Sequence, residues 1–183
     1  MTKGLAITKL SISQVAEVVS IHSRALPEDV LPNLGYRTLR NYYKAVMKDK
    51  NQFLFGALYS GELLGFCLVS ASSAGFKNII FSYQGILDLI KLSVSKPKIF
   101  CLGAMQAFIR NKIINGSAEL VFIAVNPSYQ GGGIGYEMLL YANQWCHNRG
   151  LTVLQTKTAN QVLRHFYLNK FHAKEIRQYK LLD

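Results

Sequence analysis

Acidic residues are scarce in this chain. Ten aspartates and glutamates stand against 21 lysines and arginines, a formal net charge of +11 over 183 residues. That balance favours anionic partners: a phosphorylated ligand, nucleic acid or an acidic membrane surface. Cysteine is scarce as well. Cys67, Cys101 and Cys146 make an odd count with no CxxC spacing, which argues against a disulfide framework and for buried thiols in a reducing compartment. No apolar run approaches the ~20 residues of a bilayer-crossing helix. "MTKGLAITKL" lacks the apolar stretch of a signal peptide, so a cytoplasmic location is the expectation. His22, His147, His165 and His172 show no HExxH or similar spacing, and no metal is expected. Internal repeats and low-complexity tracts are missing too. With 50% hydrophobic residues the chain is not a disordered linker, and its length suits one domain with a sizeable core.

What is present alternates between strand and helix patterns. "LAITKLS" (5–11) alternates as a strand. "SISQVAEVVSIHSRAL" reads as a helix, with Ser11 and Gln14 at capping-box spacing and Val15, Val18, Val19 and His22 along one face. "PEDVLPNLGY" is a turn-rich link. "RTLRNYYKAVMKD" is a second amphipathic helix carrying Leu39, Tyr42, Tyr43 and Val46. "NQFLFGALY", Ser60-Gly61 and "ELLGFCLVSAS" form a β-hairpin. Residues 72–115 suggest two helices broken near Lys96-Pro97. From Lys77 to Lys112 this stretch holds six basic residues and one acid, Asp88. The simplest reading is a helical pair packed on the domain with solvated lysines. The functional readings are a lid over an anionic substrate or a surface that touches membrane. "AELVFIAV" follows as a buried strand, then a glycine-rich loop and a helix from about Gly133 to Asn148. "LTVLQTK" is a strand, "NQVLRHFYLNK" a helix and "HAKEIRQYKLL" a closing strand. The alternation predicts a single domain over 1–183 of the α/β class, a mixed sheet with helices on both faces and a helical insertion at about 72–115.

"NPSYQGGGIG" (126–135) joins the apolar strand to the helix. A helix leaves its first amides without internal partners, and its dipole adds roughly half a positive charge there. Glycines permit positive φ and close approach of a phosphate, so the loop is suited to a pyrophosphate. It is not a P-loop, because no Lys-Ser or Lys-Thr follows the glycines. It is not GxGxxG either: the last position falls on Tyr136 or Met138. The pattern satisfied is Q/R-x-x-G-x-G/A, with Gln130, Gly133 and Gly135. Together with the apolar strand, Asn126-Pro127, Tyr129, "LTVLQTK" and "ANQVLRHFY", this stretch resembles the acetyl-CoA-binding motif of the GNAT superfamily of N-acetyltransferases. The order of strand, two helices and hairpin before it is similar too. The resemblance implies one GNAT-like domain with a mixed, mostly antiparallel, twisted sheet flanked by helices. The segment "ALPEDVLPNLGYRTLRNYY" with its helical insertion is also similar to bacterial members associated with surface polysaccharides.

The resemblance implies site residues. The far end of the 119–125 strand splays from its neighbour, and backbone groups near Ile123, Ala124 and Val125 hold pantetheine and polarise the thioester carbonyl. Amides of Gln130, Gly131, Gly132, Gly133, Ile134 and Gly135, with Tyr136 after them, hold the pyrophosphate. Asn160 contacts the CoA backbone. Glu119, eleven residues before Gln130, stands where several members carry a catalytic glutamate; the competing reading is a solvated strand residue. Tyr167 is the candidate acid that protonates the leaving thiolate. Lys170 stands before Phe171 where the common N…FYxxxGF pattern has glycine, so Phe166 competes for that place. Position alone makes His22, Asp29, Asn33, Tyr42 and Tyr43 candidate acceptor contacts, although a hydrogen-bonded core residue is the simpler reading of His22.

The expected activity is acetyl-CoA-dependent transfer of acetyl to a primary amine by direct attack in a ternary complex. The charge suggests a small phosphorylated acceptor such as a nucleotide-linked amino sugar. A protein N-terminal or lysine acetyltransferase and a non-catalytic acyl-CoA-binding module are the alternatives. Nucleic acid is disfavoured because the basic residues are scattered without a recognition motif. Peripheral membrane contact through the basic insertion, and a monomer or homodimer, complete the expectations.

Overall fold

The computed structural model describes residues 4–71, 83–108, 116–158 and 161–175. Five strands lie in sequence order in one sheet: β1 (Leu5–Lys9), β2 (Gln52–Tyr59), β3 (Glu62–Ser70), β4 (Ser117–Val125) and β5 (Val153–Thr156). β1 to β4 pair antiparallel, whereas β5 joins β4 in parallel. The helices are α1 (Val15–Ala25), α2 (Val30–Asn33), α3 (Tyr36–Val46), α4 (Tyr83–Ser95), α5 (Pro97–Phe108), α6 (Ile134–His147) and α7 (Gln161–Phe171). A parallel pair needs a crossover, and α6 supplies it. The sheet is therefore the mixed, mostly antiparallel one expected.

Local chemistry sets the element ends. The Ser11 amide donates to Gln14 Oε1 at 2.9 Å ahead of α1. Ser60 and Gly61 both take positive φ, 49° and 84°, the conformation that a two-residue hairpin requires to match strand twist. Pro97 opens α5, where its missing N–H leaves no helical bond unmade. The link after α1 contains the short α2, which the turn-rich sequence did not suggest. The closing strand expected from 172 onward does not begin in 172–175, and 176–183 lie outside the described residues. The parts of the expected insertion at 72–82 and 109–115 lie outside them as well.

Two cores form on the two faces of the sheet. One joins α1, α2, α3 and Leu92 of α4 to Leu54, Phe66, Leu68 and Ala124. The other joins α6 and Tyr167 of α7 to Phe55, Cys67, Val69, Ala118 and Leu120. β4 changes register midway: Leu68 pairs with Phe122 but Val69 pairs with Leu120. Val121 is thus an extra residue, a β-bulge. Ala118 and Leu120 enter the second core, while Val121, Phe122 and Ala124 all belong to the first.

β3 and β4 approach closely beside the end of β4. A Cβ on Gly65 would sit 2.8 Å from the Ala124 carbonyl oxygen and 3.1 Å from Met138 Cε. A backbone atom cannot swing aside as a side chain can. Gly65→Ala is expected to lower unfolding free energy by about 1–3 kcal/mol, measured as a lower urea midpoint at unchanged slope.

Candidate active site

The parallel ladder between β4 and β5 is short. Its rungs run from Ser117–Val153 to Leu120–Thr156 and stop. Beyond them, residues 121–125 of β4 keep β3 on one side and have no strand on the other among the described residues. Thr156 Oγ1 donates to the Leu120 carbonyl at 3.2 Å, at the point where the strands part.

The loop after β4 is built from its own polar groups. Asn126 Oδ1 accepts from the Ser128 amide at 3.3 Å, and the Asn126 carbonyl accepts from the Tyr129 amide at 2.8 Å. Gln130 Nε2 donates to the Val125 carbonyl at 3.0 Å, which ties the loop to the free edge of β4. Gly131 and Gly133 have φ of 81° and 83°, a region that side chains rarely enter. A Cβ at either would meet nothing within 4 Å, so the backbone conformation demands glycine there and the space outside stays open. Gly133 is the N-cap of α6 and offers no side chain to its first amides. Ile134 and Met138 anchor α6 in the second core. Open amides at a 14-residue helix, beside an unpaired strand edge, fit a pyrophosphate followed by an amide-bearing arm.

Glu119 lies on β4 opposite Ser70 of β3 and Gln155 of β5. It is half-buried. Burial raises its pKa above the ordinary carboxylate value, and Lys157 partly offsets the rise. Tyr42 stands near enough that Glu119 adds to the upward shift of its phenol, which burial mainly causes. Glu119 therefore faces the α1–α3 side. Tyr167 comes from the other side. It is buried in the second core, and its hydroxyl bonds to the Thr156 side chain. Burial, with Cys67 adding, pushes its pKa up to about 12, although the Thr156 bond lowers it. Phe166 packs instead on Phe171, with ring centroids 5.6 Å apart, and Tyr136 meets the same ring at 5.2 Å. Asn160 lies outside the described residues.

The candidate acceptor contacts divide. His22 is 0% exposed and Tyr43 likewise, with Tyr42 at 2%. His22 Nδ1 and the Tyr43 hydroxyl share a hydrogen bond of 2.5 Å, and the imidazole lies among Tyr43, Phe66 and Phe122. Its Nε2 is 3.5 Å from Asp29 Oδ2, an ion-pair separation too long for a good hydrogen bond. The three residues form part of the core, in place of the expected direct acceptor contact. Asn33 and Asp29 lie in the link above them. Asn33 Nδ2 donates to the carbonyls of Pro27 and Asp29 at 2.7 and 2.6 Å, and its Oδ1 accepts from Lys96 Nζ at 2.8 Å. That contact joins the link to the α4–α5 corner. Beside it opens a cleft of about 260 Å³, lined by Asn33, Tyr36, Arg37, Asp88 and Lys91 among others. Asp88 Oδ2 accepts from Thr38 Oγ1 at 2.5 Å. The sequence had not singled out Val121, Thr156 or Arg37. Nothing in an unbroken apolar run signals the bulge, and Thr156 is visible only as the polar end of a short strand.

Among the described residues no group of His, Cys, Asp and Glu could hold a metal ion, and no helix is long and apolar enough to cross a membrane. The family model for the GNAT acetyltransferase family matches residues 15–172. No curated protein matches the chain in sequence. Several solved structures share its fold. An aminoglycoside N-acetyltransferase, AAC(6')-Iy, solved with CoA, superposes at a TM-score of 0.64 and 12% identity, over 98% of this chain and 93% of that one. The aminoglycoside 6'-N-acetyltransferase AAC(6')-Ih from Acinetobacter baumannii gives 0.62 and 13%, over 98% and 97%. The ribosomal-protein-S18-alanine N-acetyltransferase from Escherichia coli gives 0.55 and 14%, over 89% and 74%. At such identities these neighbours speak for the fold alone. The family match spans most of the chain and includes the strand, loop and helix just described. The chain accordingly belongs to the GNAT acetyltransferase family, whose members are N-acetyltransferases using acetyl-CoA.

Proposed function

We propose that the chain transfers acetyl from acetyl-CoA to the primary amine of a small phosphorylated acceptor, such as a nucleotide amino sugar, by direct attack within a ternary complex. One observation carries the reading. Glu119 and Tyr167 approach the end of the β4–β5 ladder from opposite faces of the sheet. The glycine loop and the edge at 121–125 would hold the cofactor, with Ile123, Ala124 and Val125 beside its arm and Gln130 to Gly135 around its pyrophosphate. Bound there, acetyl-CoA supplies a thioester whose acyl carbon is open to an amine. Glu119, on the α1–α3 face, takes the proton of the incoming ammonium. Tyr167, on the α6–α7 face, keeps its proton well above neutral pH, donates it to the departing sulfur, and is reprotonated by the second proton that the nitrogen sheds as the amide forms. Holding both partners in place is worth about 7 kcal/mol or more at best.

The charge of the chain guides the choice of acceptor. A surface at +11 repels a polycation, so the aminoglycoside acceptors named for AAC(6')-Iy and AAC(6')-Ih are disfavoured here. Arg37 and Lys91 line the cleft beside the link, and together they suit a phosphate. A protein N-terminus is the second reading, and the same assay separates it.

CoA-thiol release is to be followed across nucleotide amino sugars, polyamines, aminoglycosides, amino acids and short peptides. Turnover confined to phosphorylated amines is expected; peptide turnover alone would replace this acceptor class. Lys91→Glu should raise KM for the phosphorylated acceptor about tenfold, the loss of one charged hydrogen bond, at unchanged kcat. Glu119→Gln is expected to lower kcat/KM by about 10²- to 10⁴-fold. In the parent enzyme kcat/KM should fall as pH drops through the Glu119 pKa, because the protonated carboxyl cannot accept a proton. That acidic limb therefore lies above the ordinary glutamate range, and the variant should lack it. Tyr167→Phe should lower kcat by about 10²-fold or more, with the thermal stabilisation by acetyl-CoA retained. Loss of that stabilisation would make Tyr167 a packing residue only.

A further inference from the structure

α4 is apolar on two opposite faces. Leu92 (2% exposed) and Leu89 pack into the first core. Away from it stand Ile86, Ile90 and Val94 at i, i+4 and i+8, with Leu87 one heptad before Val94. These four are 44%, 58%, 81% and 42% exposed, in that order. Scattered apolar residues on a surface are ordinary; four along one helix face form a stripe that something should cover. A helix apolar all round is normally buried on all sides.

The margin of the stripe is basic. Lys91 is exposed on α4, and Lys96 and Lys98 are exposed at the corner with α5. The one acid of the region, Asp88, turns to α3 and accepts from Thr38. A second copy of the chain would bring these lysines, and a net charge of +11, against their like, which opposes self-association. An anionic lipid surface attracts the lysines and takes up the apolar side chains. No helix of the described residues could cross the bilayer, so such contact would be peripheral.

We infer that α4 docks on an anionic lipid surface, with Ile86, Leu87, Ile90 and Val94 at the headgroup–acyl boundary and Lys91 and Lys98 against phosphates. Lys91 also lines the proposed acceptor cleft, so the test alters only Ile90 and Val94, which that cleft does not include. Its test is co-sedimentation of the full chain with phosphatidylcholine vesicles, with and without phosphatidylglycerol, at low and high salt. Binding to the anionic vesicles, weakened by salt and about tenfold or more weaker with neutral ones, is expected. Ile90→Glu with Val94→Glu should cut the partition coefficient about tenfold or more and leave the thermal stabilisation by acetyl-CoA unchanged. Absence of binding, or equal binding by the double variant, would overturn the inference. So would a wild-type dimer in sedimentation velocity that the double variant dissolves, which would make the stripe an interface between copies. Should the double variant fail to fold, hydrogen exchange of the wild-type chain decides. Protection of 86–94 on vesicles is expected, and its absence counts against docking.

Discussion

Backbone amides and carbonyls taken out of water must find partners, and β4 is only partly provided for. β3 pairs with it from Glu119 to Val125, except at the Val121 bulge. β5 pairs with it only as far as Leu120. The rest of its free edge lies beside a glycine loop that Gln130 fastens to the Val125 carbonyl. Much of the molecule serves that gap. Thr156 closes the last rung, Gly65 lets β3 come close beside Ala124, and α6 begins where the loop ends. A strand edge left open next to open helix amides is suited to a ligand with both anionic and amide groups.

In the proposed mechanism one physical cause prepares two opposite roles. Burial raises the pKa of Glu119 and of Tyr167. For a carboxylate the rise makes a better base near neutral pH; for a phenol it keeps the proton on the donor. The two groups come from different faces, so neither has to share a medium with the other. The bulge at Val121 assists by changing the parity of β4 just past Glu119. Before it Ala118 and Leu120 face the second core; after it Phe122 and Ala124 face the first, and Ile123 and Val125 face the second.

Some of this was legible in the residues. The Ser60-Gly61 hairpin could be read because its turn needs positive φ, and Ser11 and Gln14 because their spacing is a local hydrogen-bond requirement. Gln130, Gly133 and Gly135 announced the loop for the same reason. Glu119 and Tyr167 were reached through family resemblance, and their burial was not legible at all. His22, Tyr42 and Tyr43 illustrate the limit. Helical spacing put each on the apolar side of its own helix, but whether that side meets a core or a pocket depends on α1 and α3 crossing the same part of the sheet. They met Phe66 and Phe122 and became core.

Short-range chemistry made several features readable in the residues: the class of most elements, the turn at Ser60, the glycine loop and the excess of positive charge. Caps, turns and periodicities are settled by residues a few positions apart. Tertiary structure alone decided where the β4–β5 ladder stops, that Val121 bulges, and which apolar faces are covered. Each of these depends on strands and helices far apart in the chain. Two similar apolar stripes can then have opposite fates, as the faces of α4 do: Leu92 is sealed in the core and Val94 faces outward.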